Sequence, residues 1–247
     1  MHALVVTAVA AEADSVAAGL NPHPDPVDHA ARTRTLPGGR TLTRYDVPGL
    51  AVDVLAGGVG PAAVAAATAT ALAVAERPYS LVVSAGIGGG FQPAAPVGSL
   101  VVADAIVAAD LGAETAEGFL TVEELGFGRA AHLPPAELTA RAAEATGALL
   151  APVLTVSTVT GTAGRAAELA ARHPLAAAEA MEGFGVAEAA AAHRLPVLEL
   201  RAISNPVGPR DRAAWRIGEA LAALTDGFGR LVPVLRTWGH DDHQRHS

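Results

Sequence analysis

Short apolar runs that stop on polar or glycine-rich segments recur along this chain, and a stretch of helical length follows most of them. Leu4-Val5-Val6-Thr7-Ala8-Val9 leads to Glu12, and Leu81-Val82-Val83 leads into Ser84-Ala85-Gly86-Ile87-Gly88-Gly89-Gly90. Pro196-Val197-Leu198-Glu199-Leu200 leads to Arg201-Ala202-Ile203-Ser204-Asn205. Apolar runs of this length, bounded by turn residues, read as buried strands. Strands alternating with helices throughout give an α/β fold with a mostly parallel core sheet. In such a sheet ligands bind beyond the carboxyl ends of the strands, so the polar groups at those ends are the first candidates for function.

A helix is expected over 11–20, a loop with three prolines over 21–28, and antiparallel strands over 40–47 and 50–55 around Pro48-Gly49. Pro61 suits the first turn of a helix running to Glu76. The glycine run 84–90 reads as a loop whose backbone can approach a ligand closely. Further strands are expected over 98–107, 153–157 and 176–180, and further helices over 134–146, 162–172 and 182–193. A long last helix is expected over 212–235. With neither a repeat nor a long linker, one domain is expected over 1–239, and the tail 240–247, which has no apolar residue, is expected to be disordered.

The chain has no cysteine, which removes disulfides, thiolate nucleophiles and thiolate metal ligands. A formal net charge of −8 with no block of Lys and Arg argues against a nucleic-acid partner. The longest apolar segment, 62–75, falls short of the ~20 residues that span a bilayer, and Thr68 and Thr70 interrupt it. No basic region precedes the first apolar run, and Glu12 and Asp14 follow it, so no signal peptide is expected. The histidines show no metal-binding spacing, and Ser157 lacks the flanking glycines of a nucleophile elbow. A cytoplasmic protein acting on a small molecule is therefore expected, with no metal, no cofactor and no membrane.

Each candidate has two readings. Glu12 in the first turn of a helix suits the helix dipole, a contribution of ~0.3–1 kcal/mol, and equally a general base that activates water. Glu182 at a strand-to-helix junction can cap the helix, or its two acceptor oxygens can take hydrogen bonds from vicinal hydroxyls. Glu179 is a further carboxylate with no assigned role. Asn205 before Pro206 suits a turn, and its amide, donor and acceptor in one plane, suits the N7/O6 edge of a 6-oxopurine.

Taken in order, Val6-Thr7-Ala8-Val9 with Glu12, the run 84–90, Ala180-Met181-Glu182 and Arg201-Ala202-Ile203-Ser204-Asn205 resemble the nucleoside phosphorylase/nucleosidase superfamily over nearly the whole chain. The nearest branch is that of the methylthioadenosine/adenosylhomocysteine nucleosidases and their hydrolase relatives. The resemblance implies a three-layer α/β/α fold around a mixed, mostly parallel sheet, and a homodimer or larger homo-oligomer. It makes Glu12 the water-activating glutamate and sets Gly88 and Gly89 beside the water and the ribose. Met181 would pack on the sugar, Glu182 would bind its 2′- and 3′-hydroxyls, and Trp215 would close the pocket. Two departures narrow it. Ala8-Val9-Ala10-Ala11-Glu12 stands where phosphorylases carry a Gly-Asp-Pro-x-Arg phosphate loop, so water is the implied nucleophile. Asn205 stands where adenine-specific nucleosidases carry an aspartate, which favours a 6-oxopurine leaving group. An adenine-releasing nucleosidase, a phosphorylase and a non-catalytic nucleoside-binding protein are the alternatives.

Overall fold

The computed structural model describes residues 1–20 and 32–245, with side chains to 238; the loop expected over 21–28 lies outside the described residues. The first half of the chain forms β1 (His2–Thr7), α1 (Ala10–Leu20), β2 (Arg32–Thr35), β3 (Thr41–Val47), β4 (Leu50–Ala56), α2 (Pro61–Ala73) and β5 (Leu81–Gly90). Next come β6 (Leu100–Val102), β7 (Ile106–Ala108), the hairpin β8 (Gly112–Thr115) and β9 (Gly118–Thr121), β10 (Ala131–His132), α3 (Ala136–Thr146) and β11 (Leu149–Leu150). The last third holds β12 (Val153–Thr155), α4 (Ala163–Arg172), β13 (Ala178–Ala180), α5 (Gly183–Ala192), β14 (Val197–Pro206) and α6 (Ile217–Arg245).

All strands but β8 and β9 join one sheet, with β10-β7-β12-β13-β5-β1-β4-β3-β2 along its main path and β14, β6 and β11 branching from β5. Its inner pairs are mostly parallel. Alternation places successive residues of a strand on opposite faces. Val5, Val83, Leu198 and Leu200 thus pack under α1, α3 and α6 with Val16, Leu138 and Phe228. Leu4, Val6, Val82 and Val197 pack under α2 and α5 with Val64, Phe184 and Val186. Helices therefore cover both faces, as the three-layer expectation required. Burying a side chain such as Phe228 or Leu198 completely contributes about 1.5–3 kcal/mol.

The expected loop over 84–90 is a correction: it is strand, the second half of β5. Four glycines weaken a strand on their own, but β14 pairs with this segment from Val82 to Gly90 and supplies the hydrogen bonds that propensity does not. The strand expected over 98–107 is broken into β6 and β7. The last helix starts at Ile217 rather than 212, after a 3-10 turn at Arg212–Ala214, and runs past Leu235 through Pro233 to Arg245. Trp215 therefore lies before that helix, not within it. Among the described residues no helix is long and apolar enough to cross a membrane.

The other edge of β5 creates the crevice. β1 pairs with it as far as Val6 opposite Ser84, and β13 joins it, antiparallel, only at Gly89 and Gly90. Between these points no described strand pairs with residues 85–88 on that edge, and the sheet splits.

Candidate functional site

Glu12 closes the split from one side. As the third residue of α1 it reaches back to the turn, where its Oε2 accepts from Ala8 N–H at 2.9 Å and Val9 N–H at 3.2 Å. Its Oε1 accepts from Ile87 N–H at 2.9 Å, on the unpaired edge of β5. Glu12 thus stands both in the first turn of α1 and against the unpaired edge of β5. Burial pushes its carboxyl above the ordinary value of 4.5, although the Ile87 hydrogen bond and the Arg201 charge oppose this.

Glu182 closes the split from the other side. It precedes α5 but makes no side-chain cap to that helix. Its Oε1 accepts from Gly60 N–H at 3.3 Å, and its Oε2 accepts from Met181 N–H at 3.3 Å and Arg201 Nη1 at 3.2 Å. Arg201 is completely buried and fixed on three edges. Nε donates to Glu199 at 2.8 Å, Nη1 to Glu182, and Nη2 to Ser84 Oγ at 2.9 Å. Burial would lower its pKa, but the charges of Glu199, Glu182 and Glu12 outweigh this and hold it firmly protonated. Gly86 lies beside Arg201 in register, and a Cβ there would stand 2.5 Å from Glu12 Oε1 and 2.8 Å from Arg201 Nη1. Its missing side chain lets carboxylate and guanidinium face each other.

A cavity of about 290 Å³ lies over this group. It brings together Glu12, Gly88, Gly89, Met181, Glu182, Asn205 and Trp215, every residue singled out from the sequence. Asn205 sits just past a bulge in β14 that leaves Ser204 without a register partner. The Asn205 Oδ1 accepts from Ser204 Oγ at 2.8 Å and its Nδ2 donates to the Pro206 carbonyl at 2.9 Å. Glu179 also lines the cavity, held by Thr160 through its backbone N–H at 2.9 Å and through its hydroxyl; burial pushes its carboxyl up. Trp215 lines the cavity, and the guanidinium carbons of Arg210 and Arg212 stand 5.1 and 5.9 Å from the centre of its ring.

Sequence reasoning gave no role to Arg201, Glu199 or Ser84. A signal was present: Glu199 and Arg201 are charges inside an otherwise apolar strand, and full burial of such residues requires pairing. Among the described residues no group of three or more His, Cys, Asp or Glu is placed to hold a metal ion.

A split, mostly parallel sheet with two carboxylates at the split and a buried arginine within the adjoining strand defines a ligand-binding α/β protein with its site at a switch point. The family model of the phosphorylase superfamily matches residues 3–231. A futalosine hydrolase of Streptomyces coelicolor is 66% identical over 96% of this chain and 98% of its own, and one of Acidothermus cellulolyticus is 46% identical over 92% and 89%. The solved futalosine hydrolase of Helicobacter pylori superposes with a TM-score of 0.79 at 16% identity, covering 94% of this chain and 97% of that one. The chain belongs to the phosphorylase superfamily and, within it, to the futalosine hydrolase family.

Proposed function

We propose that this protein is a nucleosidase that hydrolyses the N9–C1′ bond of futalosine, yielding hypoxanthine and dehypoxanthine futalosine, a step of menaquinone biosynthesis. One observation carries the choice of water over phosphate. The N–H groups of Ala8, Val9 and Ile87, which could otherwise cradle an oxyanion, all donate to the Glu12 carboxylate. A phosphate dianion would meet a carboxylate there, whereas a water molecule can give it a proton.

In this scheme Glu12 takes a proton from water as the oxygen bonds to C1′ on the face opposite the base. The N9–C1′ bond breaks, its electron pair goes to the purine, and positive charge gathers on the ribose. Glu182 accepts from the 2′- and 3′-hydroxyls and stabilises that charge, with Met181 packed on the sugar and Gly88 and Gly89 giving close approach. The purine leaves as an anion hydrogen-bonded to Asn205, which must release Ser204 or Pro206 to reach it, and takes its proton from solvent, while Glu12 returns the proton it took to solvent. Removing one such transition-state hydrogen bond costs ~10²–10³ in rate. The benzoate of futalosine belongs beside Trp215, where Arg210 and Arg212 offer cations; the pocket interior, with Glu12, Glu179 and Glu182, would repel it. We further propose a single cytoplasmic domain working as a homodimer or larger assembly. The exposed side chains Phe127, Leu133 and Leu175 offer apolar surface for such contacts.

The test is purine release from futalosine, inosine, methylthioadenosine and aminodeoxyfutalosine, with and without phosphate. Phosphate-independent hypoxanthine release from futalosine is expected. Adenine release, or dependence on phosphate, overturns the assignment. Arg210→Ala should raise KM for futalosine and leave that for inosine unchanged.

A further inference from the structure

The strand that carries Arg201 holds a second charge that the scheme above leaves idle. Glu199 lies two residues earlier on the same face of β14 and is completely buried. Its Oε1 accepts from Arg201 Nε at 2.8 Å, while its Oε2 has no hydrogen-bond partner among the described residues. A carboxyl group with an unsatisfied oxygen in a core is a heavy cost that a strand residue such as valine would avoid.

The chain also sets aside room for it. A Cβ on Gly183, the first residue of α5, would lie 2.3 Å from both Glu199 carboxylate oxygens. Gly183 is not among the glycines with positive φ, so the backbone there does not demand glycine. Its missing side chain answers to volume. The two residues form one device, a buried carboxyl group and the gap that admits it, placed directly behind Glu182.

We infer that Glu199 is a positioning residue of the hydrolytic site: it anchors the Nε edge of Arg201 from beneath α5, so that the other edges meet Glu182 and Ser84 and the cation faces Glu12 across Gly86, with Gly183 as the space that makes this possible. The inference rests on the reading of Glu12 and Glu182 as the working carboxylates. A guanidinium is a rigid planar fork, and three fixed edges remove its freedom to pivot. Without Glu199 the anchor behind the plane is gone, and Arg201 can swing towards either glutamate. Burial pushes the Glu199 carboxyl up while the Arg201 charge opposes this, and its Oε1 is the acceptor that fixes Nε.

The experiment combines E199Q, E199A, G183A and the double variant E199A/G183A. Each is measured for kcat and KM on the nucleoside that the wild type cleaves, for hypoxanthine affinity and for thermal unfolding. E199Q keeps an acceptor for Nε and should stay close to wild type. E199A should lower kcat by about 10²-fold, the scale of a small misplacement in a preorganised site, with hypoxanthine affinity retained. G183A should lower kcat although Glu199 is intact, and should add nothing in the E199A background, because the clash has been removed. The inference is overturned if G183A is harmless, if it costs as much beside E199A as alone, or if E199Q loses as much as E199A. Losses that track hypoxanthine affinity or unfolding temperature rather than kcat also overturn it. A wrong substrate assignment would show in the wild type; a wrong role for Glu199 shows only in the variants.

Discussion

At the residue scale, the proposed role of Glu12 as the base turns on its burial. A base works only when ionised, and burial raises the pKa of this carboxyl above 4.5. The acid limb of kcat/KM should therefore lie at higher pH than an ordinary glutamate would give, with activity falling as pH drops through it. A pH–rate profile checks this, and a limb at or below 4.5 would falsify the assignment of Glu12 as the base. Glu12→Gln keeps the shape and loses the proton acceptor. It should abolish turnover while retaining hypoxanthine binding, which calorimetry can measure. Asn205→Asp should shift preference towards 6-aminopurine nucleosides; an unchanged ratio of 6-oxo to 6-amino turnover counts against Asn205 as the reader of the base.

At the element scale, β5 matters for what it lacks. Its edge is unpaired between β1 and β13, and Gly86 within that gap separates Glu12 from Arg201. Gly86→Ala would drive a methyl group between them. It should cost far more in kcat than in unfolding temperature, since the neighbouring strand β14 still holds the backbone. Gly185 in α5 gives the contrasting case. A Cβ there would lie 2.1 Å from the carbonyl oxygen of Pro61, which is backbone and cannot step aside. Gly185→Ala should force α5 away from α2 and destabilise the fold by about 1–3 kcal/mol, the range for overpacking. Urea unfolding measures it.

At the scale of the whole molecule, a second buried polar group sits at the opposite end of β1 from the cavity. Asp53 accepts from Arg44 at 2.7 and 2.9 Å and from the Tyr79 hydroxyl at 2.6 Å, and its Oδ2 lies 3.1 Å from His2 Nε2. Tyr79 stacks on the His2 ring at 4.1 Å between centroids. Burial alone would raise the Asp53 pKa, but these contacts outweigh it and hold the carboxyl well below 3.8. A depressed folded pKa means that the unfolded chain binds the proton more tightly. The stabilisation is therefore complete above 3.8 and is lost as pH falls below it. Glu12 acts with the opposite sign, because its raised pKa makes ionisation costly as pH rises past 4.5. In Asp53→Asn the loss of stability on acidification should be shallower than in the wild type, by urea unfolding at neutral pH and below 3.8. Equal slopes would show that the cluster contributes nothing to acid sensitivity.

Much of this was legible in the order of residues. Periodicity and turn chemistry act over a few neighbours, so Leu4-Val5-Val6, the hairpin around Pro48-Gly49 and the helix opening at Pro61 could be read directly, as could the polar groups at strand ends. The ordered motifs brought Glu12, Met181, Glu182 and Asn205 forward as one set. Other features depended on groups far apart in sequence. Residues 84–90 are strand because β14 runs beside them, and the crevice exists because β1 and β13 meet β5 at different heights. Arg201, Glu199 and Gly183 acquired meaning only when burial removed water and left each with a particular neighbour. Pattern is set by local backbone geometry, which a sequence carries by itself; desolvation, pairing and the space beside a glycine are set by non-local contacts, which only the folded chain decides.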